Sequence, residues 1–262
     1  MKADTLIELL ERSYPRQLAE SWDNPGLLAG RREKEVHKIF LALDATDEVI
    51  EKAIGVGADF LLTHHPLLFS PVKQVSTDTM VGRRLIRMIQ ADLTYYAMHT
   101  NYDVVTMASL SGQMLGLLNQ NVLEVTRRDE KTGVEEGFGR IGSLPQPMSL
   151  EECGELVKKI FGLEHVKIFG DLKSMVTKAA ISPGSGKSMI APAIQAGAEV
   201  LITGDIGHHE GIDARAEGLA IVDAGHYGLE HIFIDHMAGF LREQCPGLEI
   251  IQEEIKNPFQ II

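Results

Sequence analysis

The sequence contains little cysteine, a single tryptophan and no long apolar run. Cys153 and Cys245 are the two cysteines in 262 residues. They are too few for a disulfide framework or a thiolate zinc site, and this favours a reducing compartment. No stretch approaches the roughly 20 consecutive apolar residues that a membrane-spanning helix needs. We therefore predict a cytoplasmic protein with no membrane partner.

Basic residues are also scarce. The chain has 25 lysines and arginines against 37 acids, a formal charge of −12, and such a field repels nucleic acid and anionic membranes. Apolar residues make up 44% of the chain and charged residues 24%, which is typical of a globular protein with a buried core. The opening MKADTLIELLERSYP has the pattern of an amphipathic helix rather than of a signal peptide. The composition thus argues against nucleic acid as a partner.

Short apolar runs alternate with segments of helical period along the chain. The predicted strands are 38–43, 59–63, 93–98, 176–182, 199–203 and 219–223. The predicted helices are 46–56, 79–91, 105–117, 149–161, 188–196, 208–217 and 228–243. This alternation predicts an α/β protein whose strands are largely parallel and buried.

The chain also contains an internal repeat. AIGVGADFLLTHH at 53–65 aligns without gaps on AIQAGAEVLITGD at 193–205, and YYAMHTNYD resembles IVDAGHYGLE further along. Two matches in the same order predict duplicated α/β units. The charged segment EVTRRDEKTGVEEGFGRIGSLPQP between them predicts a linker with an edge hairpin. We therefore predict a first repeat with its N-terminal helix, a linker and edge segment, and a second repeat, at 1–125, 126–171 and 172–262.

Histidines and acids collect where the predicted strands end. These groups are His64 with His65, His99 with Asp103, Asp205 with His208 and His209, and His226 with Glu230. In α/β sheets the loops at the carboxyl ends of the strands converge on one crevice. We therefore expect these groups to form the functional site. The remaining histidines with an expected structural role are His37, His165, His231 and His236.

A divalent cation is the economical explanation for so many imidazoles and carboxylates in one crevice, because it offsets their repulsion and desolvation. His64 and His65 would point to opposite sides of a continuing strand, which suits two ions. His226 and Glu230 lie four apart on one helical face, so Glu230 can bridge both ions. Imidazole and carboxylate without thiolate suit zinc, iron, manganese, nickel or cobalt rather than a calcium cage.

Two further motifs suggest other chemistry. ISPGSGKSM at 181–189 suggests a phosphate loop, but Ile181 stands where that pattern needs glycine, so an ATPase is rejected. A glycine-rich helix start there can still hold an anion. AESWDNPGLLAG at 19–30 is interpreted as a turn with an aromatic anchor.

Taken together, SWDNPGLLAG, LLTHHPLLF, YYAMHTNYD, the GSGKS turn and GAEVLITGDIGHHEGIDA followed by IVDAGHYGLE resemble the Nif-three-like dinuclear metal proteins, often named GTP cyclohydrolase I type two homologues. The resemblance covers nearly the whole chain. It implies a fold of two intertwined, duplicated α/β repeats with mostly parallel sheets and three-layer character. It also implies a homo-oligomer, expected as a hexameric ring with metal sites facing an inner cavity.

The resemblance assigns the metal ligands residue by residue. The implied ligands of two divalent ions per subunit are His64, His65, Asp103, His226 and Glu230, whereas His99 and His209 are implied as pocket residues. The chain departs from many relatives after HTNYD, where VVTMASLSGQ replaces a Gly-Gly-x-Asn-Asp stretch. Its linker is also too short for the extra domain that longer relatives insert.

Two functional hypotheses follow from the implied site. The first is a metal-dependent hydrolase of a small anionic or nucleotide-like substrate, in which two ions about 3.5–4 Å apart activate water. His99 or His209 would be the general acid or base. The second is a non-catalytic scaffold that delivers or senses metal or has a regulatory role, because the sequence contains no clear nucleophile or cofactor fingerprint.

Overall fold

The apolar runs and helical segments of the sequence form alternating strands and helices in the computed structural model, which describes residues 1–130, 132–260 and 262. The strands are β1 (Gly26–Ala29), β2 (Lys38–Ala42), β3 (Phe60–Thr63), β4 (Thr94–Ala97), β5 (Leu118–Arg128), β6 (Glu135–Ser149), β7 (Lys167–Phe169), β8 (Met175–Ser185), β9 (Val200–Gly204), β10 (Ala220–Asp223) and β11 (Glu249–Gln252). The helices are α1 (Ala3–Ser13), α2 (Asp47–Gly55), α3 (Met80–Gln90), α4 (Thr100–Tyr102), α5 (Ala108–Met114), α6 (Leu150–Phe161), α7 (Ile190–Gln195), α8 (His208–Ala216), α9 (His226–Glu230) and α10 (Ile232–Gln244). Short 3₁₀ turns cover Arg16–Leu18 and Lys187–Met189, and Asp103–Met107 is π-helical.

Hydroxyl side chains begin several of the helices. Thr46 accepts a hydrogen bond from the backbone of the first turn of α2, and Thr79 does the same for α3. Ser149 and Glu152 form a reciprocal capping box at the start of α6, which ends at Gly162 with a φ of 65°. Such caps satisfy backbone groups that a helix leaves without intrahelical partners.

The chain divides into two compact units. Unit 1 comprises Met1–Tyr102 and Phe233–Lys256, and unit 2 comprises Asp103–Ile232 and Asn257–Ile262. Each unit contains one sheet. These units are defined by contacts, whereas the division at 125 and 171 was predicted from repeated sequence and stays a prediction.

Unit 1 is built on a sheet of order β1-β4-β3-β2-β11, in which β1 is antiparallel and the other strands are parallel. Every residue of β3 is buried, which requires cover on both faces of the sheet. On one face α2 and α3 contribute Ile50 and Met88 to a core with Leu61 and Tyr95. The burial explains why these strands are continuous apolar runs in the sequence.

Unit 2 is built on a sheet of order β5-β6-β8-β9-β10-β7. The pairs β8-β9 and β9-β10 are parallel, whereas β5-β6, β6-β8 and β7-β10 are antiparallel. The hairpin of β5 and β6 confirms the edge hairpin expected from the polar segment. The segment at 126–171 is more than a linker, since it also contains α6, which was predicted at 149–161, and β7, which was not predicted.

The two units repeat the same internal bonds at an offset of 140 residues. Asp59 Oδ2 accepts from the backbone N–H groups of residues 37 and 38 at 2.8 and 3.1 Å. Glu199 Oε2 accepts from those of residues 177 and 178 at 2.6 and 3.0 Å. Lys38 and Lys178 each donate to the carbonyl oxygen 18 residues later. The duplicated α/β fold predicted from the sequence is therefore confirmed.

The edge strands β1, β7 and β11 were not predicted. They are only three or four residues long, too short for a clear alternating pattern. Among the described residues, no helix has both the length and the apolar character needed to cross a bilayer.

The repeated carboxylates can be tested by substitution. We expect Asp59→Ala and Glu199→Ala each to lower the free energy of unfolding by about 1 kcal/mol, because each leaves two backbone N–H groups without their carboxylate acceptor. Urea unfolding is the measurement, and Glu243→Ala on the exposed side of α10 is the control. A loss in only one of the two variants would contradict equivalent roles in the two units.

Candidate functional site

Three histidines of unit 1 gather at the carboxyl ends of two adjacent parallel strands. His64 and His65 follow β3 directly, and His99 follows β4 after one intervening residue. Their ring centroids lie 4.9, 5.2 and 5.5 Å apart, and one ring nitrogen of each lies within 4.8 Å of the others. The two strands therefore deliver three potential nitrogen ligands to one place.

The imidazoles of His64 and His65 are oriented through Nδ1. His64 is fully buried, and its Nδ1 donates to the carbonyl oxygen of Met98 at 2.8 Å. His65 Nδ1 bonds Asp44 Oδ1 at 2.8 Å. Because a carbonyl only accepts, Nδ1 of His64 carries the proton and Nε2 presents a lone pair. Histidines that bind metals have this arrangement, with an oxygen acceptor behind the ring.

His99 is oriented in the same way by Asp23, an acid from the WDNPG turn. The side chain of Asp23 is fully buried, and it accepts from His99 Nδ1 at 2.9 Å. It also accepts from the backbone and hydroxyl of Thr100 at 3.0 and 2.5 Å. Burial raises the pKa of Asp23, but the bonds from His99 and Thr100 and the charge of His99 outweigh it and lower the pKa to about 2.

This role of Asp23 was not predicted from the sequence. The turn itself is present, but its acid supports a histidine that lies 76 residues away in the chain. The available signal was an acid beside the chain's single tryptophan, ahead of a Pro-Gly pair. Asp44, at the exit of β2, was missed for the same reason.

Unit 2 places a second group of polar side chains where β9 and β10 end. His226 begins α9, and its Nε2 lies 2.9 Å from Glu230 Oε2, one turn later on the same helical face. His226 Nδ1 bonds Asp205 Oδ2 at 2.8 Å. Glu230 is buried, with 5% of its side chain exposed. Asp205 adopts a left-handed φ of 57°, a strained conformation for a residue with a side chain.

Asp103 begins the π-helical segment of unit 2. One of its carboxylate oxygens lies within 4.8 Å of one from Glu230, and its Oδ1 is sealed from solvent. Single π turns inside helices occur frequently at functional sites, because the extra residue re-aims a side chain. The sequence predicted an ordinary helix at 105–117, and its apolar period contains no sign of the π turn.

Two glycines of unit 2 make room for this group. Gly184, at a φ of 82°, would with an added Cβ lie 2.5 Å from Glu230 Oε1 and 3.9 Å from His226 Nε2. A Cβ at Gly204 would lie 2.5 Å from the backbone nitrogen of His226. Gly184 is the first glycine of the GSGKS motif, whose Lys187 forms an ion pair with Glu210 at 2.8 Å. The motif thus provides space for a carboxylate.

A profile of the Duf34/NIF3 (NGG1p interacting factor 3) family matches residues 1–258. The chain belongs to this family. It is 36% identical to a protein of Clostridium perfringens over the full length of both chains, and 33% identical to one of Streptococcus pneumoniae, also over full length. Both relatives bear the name GTP cyclohydrolase 1 type 2 homolog.

Solved structures of similar proteins have the same fold. A Bacillus cereus protein related to NIF3 superimposes with a TM-score of 0.93 at 26% identity, covering 100% of this chain and 99% of that chain. Reduced HcgD from Methanocaldococcus jannaschii superimposes with a TM-score of 0.82 at 32% identity, covering 96% and 97%. The family resemblance noted in the sequence is therefore confirmed.

His209 has different surroundings from the other site residues predicted from the sequence. It lies exposed on the first turn of α8 with its ring 5.3 Å from that of His208. Among the described residues, the groups of potential metal ligands do not include it. Two of the histidines with an expected structural role form hydrogen bonds that fit this role. His231 bonds the carbonyl oxygen of Phe161, and His236 bonds the hydroxyl of Tyr102.

The lowered pKa of Asp23 predicts a pH-dependent contribution to stability. Its ionised form is favoured by folding, so the contribution is present above pH 4 and is lost as pH falls towards 2. We expect Asp23→Asn to be less stable than the parent by about 1–2 kcal/mol near pH 6, and the gap to narrow below pH 4. Urea unfolding at several pH values tests this, with Glu8→Gln as the control. A gap independent of pH would contradict it.

Proposed function

We propose that the chain binds two divalent metal ions through His64, His65, Asp103, His226 and Glu230, and hydrolyses a small anionic or nucleotide-like substrate. The observation that carries the proposal is the fixed orientation of the histidines. A carbonyl or carboxylate oxygen holds Nδ1 of each, so that Nε2 is the nitrogen presented to a ligand. An arrangement of this kind suits metal binding better than a purely structural role.

The chemistry of the five proposed ligands limits which metals fit the site. The five residues offer imidazole nitrogen and carboxylate oxygen, the donors that suit zinc, iron, manganese, nickel or cobalt. Thiolates are absent from the set, since Cys153 and Cys245 are buried elsewhere, and burial raises the pKa of the Cys153 thiol to about 11. The space that Gly184 leaves beside Glu230 also fits a carboxylate that must accept a ligand.

The residues around the proposed ligands have defined tasks in hydrolysis. When bound, divalent ions supply Lewis-acid activation of the substrate and of water. His99, held by Asp23, would accept or donate the proton in that step through Nε2, because its Nδ1 is engaged and one of its ring nitrogens lies within 4.8 Å of ring nitrogens of His64 and His65. His209 stays a second candidate for that proton transfer. The name of the NIF3-family relatives supports a nucleotide-like substrate.

The same resemblance supports two further parts of the proposal. We propose that the protein is a homo-oligomer, expected as a hexameric ring, and that it acts in the cytoplasm. Light scattering on the eluted protein measures the first, and fractionation of the source cells measures the second.

Metal content and turnover test the ligand assignment. We expect the parent to bind about two ions per chain and Glu230→Gln to bind fewer, since the amide replaces a charged donor with a neutral one. Metal analysis is the readout, with turnover measured on a panel of phosphoesters, amides and nucleotides. The exposed Glu217→Gln is the control. Parent-like metal content in Glu230→Gln would contradict the assignment, and bound metal without turnover would favour the scaffold hypothesis.

The space at Gly184 allows a sharper test. We expect Gly184→Ala to lose metal affinity by about 10-fold or more, because the added methyl group displaces Glu230. Gly218→Ala is a matched control, since Gly218 has a similar φ of 87° and a Cβ added there would meet nothing within 4 Å. Competition with a chelating dye measures the affinity. An equal loss in both variants would assign the effect to backbone strain instead.

A further inference from the structure

Two large aromatic side chains of unit 1 remain exposed beside His99. Trp22 is 58% exposed and Phe69 is 49% exposed. Trp22 meets the imidazole of His99 edge to face at 5.9 Å and 74°, and Phe69 does so at 5.7 Å and 78°. Neither residue belongs to the hydrophobic core described for unit 1, and neither is a proposed metal ligand.

Hydrogen bonds fix the backbone of the turn that carries Trp22. The next residue, Asp23, is buried and accepts bonds from His99 and Thr100. Glu20, two residues earlier, donates its backbone N–H to the hydroxyl of Thr100 at 2.9 Å. The turn is thus tied on both sides to the residues that follow β4, and Trp22 projects from a rigid support.

The segment that carries Phe69 is tied to the same turn. Asn24 Nδ2 donates to the carbonyl oxygen of Leu68 at 2.7 Å. The backbone N–H of Leu67 donates to the buried hydroxyl of Tyr95 at 2.9 Å. Because neighbours on both segments are held, Trp22 and Phe69 are presented together beside His99 at little further cost in conformational entropy.

We propose that Trp22 and Phe69 bind a planar heteroaromatic ring of the substrate beside His99. The inference rests on the proposed function, for it names the part of the substrate that this site recognises. Exposed aromatic faces stack on any nucleobase-like ring, whatever its hydrogen-bonding pattern. A cationic ligand fits less well, because the acid of this turn, Asp23, already accepts bonds from His99 and Thr100.

Trp22 is itself the probe for this binding. It is the single tryptophan of the chain, so intrinsic fluorescence reports on it alone. We expect guanosine, adenosine, cytidine and uridine to quench this emission, and ribose 5-phosphate to leave it unchanged. The titration is carried out on the protein as purified and again after treatment with EDTA. Ring binding is expected in both states, because neither aromatic residue is a proposed metal ligand.

Variants of Phe69 separate stacking from simple burial. We expect Phe69→Leu to weaken nucleoside binding by about tenfold and Phe69→Tyr to retain it, because leucine has no π face. Phe259→Ala, at a phenylalanine that is 55% exposed, is the control and should bind as the parent does. Circular dichroism confirms that each variant is folded.

Several results would overturn the inference. The first is emission of Trp22 that does not respond to nucleosides, and the second is an equal response to choline. The third is emission that changes with protein concentration alone, which would indicate that a second copy of the chain covers the rings. Parent-like binding by Phe69→Leu would also overturn it. The proposed function can be contradicted separately. If nucleosides quench the emission of Trp22 but no substrate is hydrolysed, the hydrolase proposal is wrong and the ring-binding site is still supported.

Discussion

The hydrogen bond behind each imidazole is the interaction on which the candidate site depends. A neutral imidazole has one proton, and the oxygen that accepts it from Nδ1 decides which nitrogen faces a ligand. Met98, Asp44 and Asp205 supply that oxygen for His64, His65 and His226. The orientation of the rings therefore comes from oxygen atoms at neighbouring strand exits.

Duplication explains where those oxygens come from. With the offset of 140 residues, His65 of unit 1 corresponds to Asp205 of unit 2. The same strand-exit position therefore supplies an imidazole in unit 1, and in unit 2 it supplies the carboxylate that bonds the imidazole of His226. The strand bonds that surround the position are kept, as Asp59 and Glu199 show. The framework of the repeat was thus preserved while the side chains at its carboxyl edge took different roles.

The fold was largely predictable, because its strongest signals are local. The run at 38–43 became β2 within one residue, and the strands predicted at 59–63 and 199–203 were each placed within one residue of their observed bounds. Histidines at strand ends were equally visible. Asp23 was not recognised, since its partner His99 lies 76 residues away. The π turn at Asp103 depends on packing that no sequence period records.

The glycines of the GSGKS motif show how a local motif can be misread without tertiary context. A glycine-rich turn after a strand is the pattern of a phosphate loop, in which the missing side chains let a phosphate approach. Here Gly184 lets Glu230 approach, 46 positions later in the chain, and Gly186 packs against Thr203 of the neighbouring strand. A phosphate loop and this turn have the same physical requirement, because in each an oxygen or a side chain must come close to the backbone. Only the partner differs, and the partner is set by which helix follows β10.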